Sequence, residues 1–63
     1  MYKLRADALG LKTSQVIYGE TKPEVIAKMF EFLERRYPEF VGQPTMQRLA
    51  ELDTLFNLHI QEE

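Results

Sequence analysis

Apolar and polar positions alternate over the first eight residues. Tyr2, Leu4, Ala6 and Ala8 fall on one side, and Lys3, Arg5 and Asp7 on the other. A period of two is the pattern of a half-buried strand. Gly10 follows as a turn residue, and "TSQVIYGE", rich in β-branched and aromatic residues, predicts a second strand ended by Gly19. A short connection between two such runs predicts an antiparallel hairpin. Whether Val16 and Tyr18 or Ile17 face inward stays open.

The pattern then changes period. Thr21 followed by Glu24 is a capping box, in which the Thr oxygen accepts an orphan N–H and the Glu carboxylate reaches back. Pro23 is tolerated in a first helical turn, and Pro38 disfavours helical backbone at Tyr37, so a helix is expected from about Thr21 to Arg36 or Tyr37. At about 100° per residue, Ile26, Met29, Phe30, Leu33 and Tyr37 share one arc. Glu24, Lys28, Glu31, Glu34 and Arg35 occupy the opposite side, with Glu24–Lys28 and Glu31–Arg35 at the favourable i,i+4 spacing. Val25 and Phe32 lie on a flank of the arc beside Arg36.

"PEFVGQP" predicts a loop carrying Phe40 and Val41, after which Thr45 caps a shorter helix with Met46, Leu49, Ala50 and Leu52 at helical spacing. The segment "FNLHIQ" alternates Phe56, Leu58 and Ile60 against Asn57, His59 and Gln61, the pattern of a third strand. The competing pattern continues the second helix through Leu49, Leu52, Phe56 and Ile60 and leaves Leu58 unexplained. The strand is preferred. The expected architecture is α+β, β-β-α-α-β: a small antiparallel sheet of about three strands packed on one main amphipathic helix, plus a short second helix.

Composition adds bounds. Sixty-three residues predict a single domain, 1–63, and the 44% apolar and 29% charged content is that of a globular chain rather than a disordered one. A domain of this size buries only about 60% of its unfolded surface, and the absence of cysteine removes disulfides and thiolate zinc as sources of stability. Tight packing or association has to supply it. Apolar runs of two or three residues do not span a membrane. "MYKLRADALG" lacks the apolar core of a signal peptide, so a cytoplasmic location is expected.

Catalysis has little to stand on. There is one histidine, no cysteine, no glycine-rich phosphate loop and no nucleophile elbow, so an enzyme is not expected, nor a cofactor or a metal. His59 could act as a proton switch or lone ligand, but on the expected third strand it is an ordinary exposed histidine. Glu20 and Glu24 could hold a cation, but capping already accounts for Glu24. Most other carboxylates lie on the solvated helix face or at the terminus, away from any cleft that would separate two pKa values.

Nucleic acid is the alternative partner. Lys3, Arg5 and Lys12 cluster on the first hairpin, and a basic ribbon can enter a groove. Asp7 on the same face and a net charge of −2 weaken that reading. "TSQVIYGET", the helix, the loop and a long second helix would be similar to a ribbon-helix-helix repressor if the C-terminal strand were replaced by helix. However, Ser14, Gln15, Val16 and Ile17 offer no basic residue at the ribbon positions. "VIYGETKPEVIAKMFEFLERRYP" loosely resembles the strand, "Y-x-E-T" cap and amphipathic helix of very small phage-encoded inhibitors of host enzymes. That resemblance covers about a third of the chain and implies an inhibitor, with no residue role carried over.

The favoured expectation is a protein-binding protein, a regulator or inhibitor acting by steric occlusion and able to form a homodimer through strand pairing. If the second helix and the loop leave the flank of the main helix uncovered, Val25, Phe32, Arg36, Phe40 and Met46 form a surface of the aromatic, arginine and methionine type enriched at interface centres.

Overall fold

The computed structural model describes residues Met1–Glu63. Strand β1 (Tyr2–Arg5) leads into a 3₁₀ turn (Ala6–Leu9), and strand β2 (Val16–Gly19) follows. Three helices come next: α1 (Lys22–Arg36), a single turn α2 (Pro38–Val41), and α3 (Met46–His59), before the two-residue strand β3 (Gln61–Glu62). The sheet is antiparallel with order β2-β1-β3. The fold is the expected α+β arrangement, with α1 and α3 lying against one face of the sheet.

The alternation of the first segment holds through Tyr2, Leu4 and Ala6 and then stops. Ala6 and Leu9 are both buried while Ala8 is exposed, the three-residue repeat of a 3₁₀ turn rather than the period of a strand. Gly10 ends that turn, its N–H donating to the Asp7 carbonyl. The inward face of β2 is settled by register. Ile17 lies opposite Leu4, which is fully buried, so Ile17 faces the helices and Val16 and Tyr18 share the outer face with Arg5 and Lys3. Because β2 pairs with β1 of its own chain, the ribbon of a ribbon-helix-helix dimer is not reproduced.

Helix α1 begins and ends where the sequence places it. Thr21 Oγ1 accepts from the Glu24 N–H at 3.2 Å, and the Glu24 carboxylate accepts from the Glu20 N–H. Since Glu24 is engaged there and Lys28 donates to the Tyr18 carbonyl at 3.0 Å, the expected Glu24–Lys28 pair does not form, whereas Glu31–Arg35 does at 2.9 Å. The buried stripe runs through Val25, Met29 and Leu33, rotated by roughly 50° from the expected arc at 100° per residue. The rotation has a cause: two elements share the helix. The sheet covers the Val25 side, and α3 covers the Phe30 side, where Phe30 meets Phe56 edge to face at 5.0 Å.

The C-terminal segment corrects the preferred strand. Residues 55–59 continue α3, which has fourteen residues against fifteen in α1, and only Gln61–Glu62 form a strand. Phe56 is fully buried and Leu52 nearly so, while Leu58 is 76% exposed. Leu58, the residue a helix could not place in the core, is simply left in solvent. Thr45 caps α3 as expected, its Oγ1 accepting from the Arg48 N–H at 3.1 Å. Helix and strand therefore predict different outcomes for two substitutions. Phe56→Ala should cost about 3–5 kcal/mol and Leu58→Ala less than about 0.5 kcal/mol in urea unfolding, whereas equal losses would restore the strand.

Gly19 is the tightest joint in the molecule. A methyl group built there would lie 2.8 Å from Val25 Cγ2 and from a Glu24 carboxylate oxygen, and 3.1 Å from the Val25 nitrogen. Only the missing side chain lets β2 run directly under the first turn of α1. Gly42 is needed for a different reason: at φ 69° and ψ −149° it occupies a region closed to residues with a Cβ, and it redirects the chain from α2 to α3. Gly19→Ala should lower stability by about 1–3 kcal/mol through overpacking, measured by urea unfolding, and an unchanged midpoint would show that β2 and α1 can move apart to admit a methyl group.

Candidate functional site

The residues expected to form a binding surface do not stay together. Val25 is fully buried against Gly19 and belongs to the core, so it is removed from any surface. Phe32 remains at the surface, half-buried, its ring leaning on Tyr37 with centroids 5.8 Å apart. Around it, Lys28, Glu31, Arg35 and Arg36 line an open concavity of about 290 Å³ on the outer flank of α1. Arg36 therefore joins Phe32, as the sequence suggests.

Phe40 goes elsewhere. Its ring lies 5.7 Å from the guanidinium carbon of Arg48, a residue the sequence reading did not single out. Arg48 Nε donates to the Val41 carbonyl at 3.1 Å and Nη2 to the Phe40 carbonyl, while Nη1 lies 3.6 Å from Glu51. Those carbonyls end α2 and have no helical partner, so the guanidinium closes the end of one helix from the first turn of the next. A cation in the first turn of α3 opposes the helix dipole and therefore needs a compensating contact. That opposition was the available signal for Arg48. Met46 stands apart, 89% exposed at the start of α3.

A second, larger groove of about 510 Å³ runs between α1 and α3, lined among others by Ile26, Phe30, Lys22 and Asp53. Its one cation and one carboxylate leave it formally neutral. The outer sheet face, carrying Lys3, Arg5, Val16 and Tyr18, has no helix over it, and Tyr18 is 45% exposed.

The basic hairpin is largely neutralised. Lys3 pairs with Glu63 at 3.1 Å, and Arg5 donates Nε and Nη2 to the two carboxylate oxygens of Asp7 at 3.1 and 2.9 Å. Lys12 is exposed on the connecting loop without an ion-pair partner. The three cations therefore do not present one bare positive ribbon. Glu20 and Glu24 meet through the cap described above, and no three His, Asp or Glu side chains come together in a way that could hold a metal ion. His59 closes the last turn of α3 half-buried, not on a strand, where a basic side chain suits the helix dipole. No helix is long and apolar enough to cross a membrane.

The Arg5 hydrogen bond, helped by its charge, holds the Asp7 carboxyl below its ordinary value of 3.8 against a smaller opposing effect of desolvation, and the same contact raises Arg5. A depressed carboxyl pKa adds stability that is present above the unfolded value and is lost as pH falls through the folded one. Both groups are exposed, so the contribution is small. The Asp7 side-chain resonance should titrate below 3.8, and Arg5→Gln should raise its midpoint. An unshifted midpoint in the parent chain would mean that the pair does not persist in solution. In comparison with known proteins, the chain matches no protein-family model, no curated protein and no solved structure.

Proposed function

We propose that this chain is a non-enzymatic protein-binding protein, a regulator or inhibitor that acts by occluding its partner, and that it docks through the outer flank of α1 around Phe32 and Arg36. The observation that carries this reading is a half-buried aromatic ring set in an open concavity and rimmed by arginines. Such a site combines an apolar anchor point with charge-assisted donors, the pairing that dominates interface energetics. Phe40 is not part of this concavity, its ring lying instead against Arg48. Met46 offers a separate exposed contact.

Support also comes from what the chain does not assemble. One histidine at a helix end and carboxylates engaged in caps and surface pairs give no general acid–base couple in a cleft. The alternative, nucleic-acid binding through Lys3, Arg5 and Lys12, has to break two existing ion pairs before either cation reaches a phosphate.

The expected outcome is that tagged protein retains specific partners from extract of its own cells, or self-associates in sedimentation. Either behaviour should weaken at least about tenfold on Arg36→Glu or Phe32→Ala and stay unchanged on Arg5→Glu. If circular dichroism shows both variants folded and neither behaviour changes, α1 is not the interface.

A further inference from the structure

The chemistry around Phe32 specifies more than an interface. Its lining brings together Lys28, Arg35 and Arg36 against the single carboxylate of Glu31, a formal +2 on a chain whose net charge is −2. Glu31 is already engaged, 2.9 Å from Arg35. Lys28 is held at 3.0 Å by the Tyr18 carbonyl, a neutral partner that fixes its ammonium without cancelling its charge. Arg36 has no ion-pair partner at all. Two uncompensated cations therefore flank one half-buried ring, while nine of the ten carboxylates lie outside the concavity.

Resting on the function proposed above, we infer that the occupant of this concavity is an acidic protein segment carrying one apolar side chain. The apolar side chain packs on Phe32, and flanking Asp or Glu carboxylates accept from Arg36 and Lys28. A guanidinium suits a carboxylate because its donors form a planar fork. Charge complementarity here is local. At physiological ionic strength interactions between exposed charges fade beyond about 8 Å, so a short acidic segment in the concavity is governed by the adjacent cations rather than by the chain's net charge of −2. The ring, half-buried and leaning on Tyr37, also offers less of its face for stacking a base than a free aromatic would.

The test is an NMR titration of the isotope-labelled chain with four probes. The first is a short peptide pool with Leu or Phe flanked by Asp and Glu, and the second is the same pool with Ser at the apolar position. The third replaces the acids by Lys, and the fourth is a short oligothymidylate. The first pool should give saturable shifts centred on Lys28, Phe32 and Arg36. Its affinity should fall at least about tenfold on Arg36→Glu and on raising salt from about 50 to about 500 mM. The Ser pool should bind more weakly, and the Lys pool and oligonucleotide should leave these resonances unmoved. Absence of shifts with the acidic pool, equal binding by a folded Arg36→Glu variant, or tighter binding of the oligonucleotide at the same residues would overturn the inference. If the acidic pool fails while partner retention is still lost on Phe32→Ala and Arg36→Glu, only the partner chemistry is wrong. If retention is also unaffected, the proposed function falls with it.

Discussion

Burial of the Val25–Met29–Leu33 stripe of α1 is the interaction on which the rest of the structure depends. Each of these side chains is fully removed from solvent, worth about 1.5–3 kcal/mol apiece, and none of them could be covered by a neighbour within the helix. Coverage comes from elements distant in sequence: Leu4 of the central strand from below and Phe56 of α3 from the side. A sixty-three-residue chain has no spare layer. Its sheet and its last long helix must both touch the same rod, and that requirement fixes the order β2-β1-β3, with the shortest strand arriving last, next to the first.

Close approach follows from the same constraint. To bring β2 under the first turn of α1, the chain uses a residue without a side chain at Gly19, and the Glu24 carboxylate that completes the helix cap sits just beside it. Polar groups freed by these tight connections are met locally. Lys28 reaches a carbonyl of the edge strand β2, which also makes that edge less available for pairing with another chain, and Arg48 closes the end of α2. No buried side-chain polar atom is left without a partner.

Apolar surface that the two-layer design does not use remains on the outside, and it is dispersed. Phe32 lies on one flank of α1, Met46 and Leu58 near opposite ends of α3, and Tyr18 on the open sheet face. Only around Phe32 does residual apolar surface line a concavity of net positive formal charge. That coincidence, rather than the amount of exposed apolar area, is the reason docking is proposed on the flank of α1.

Local rules were legible along the chain wherever neighbouring residues decide the outcome. The caps at Thr21 and Thr45 and the stop before Pro38 rest on interactions within a few residues, and the pairing of Tyr2–Arg5 with Val16–Gly19 and the α+β class follow from the order of the strand and helix patterns along the chain. The candidate site was half legible: Phe32 and Arg36 share a flank because helix geometry puts them there, but Val25, Phe40 and Met46 depended on which element came to rest beside them. The same division explains residues 55–59. Alternation at Phe56, Leu58 and Ile60 favours a strand by period alone, and a helix accommodates the same residues only by abandoning Leu58 to solvent. Packing separates them, because a helix sets Leu52 and Phe56 about 6 Å apart along its axis, close enough to enter the core together beside Phe30, whereas extended backbone would hold them about 13 Å apart.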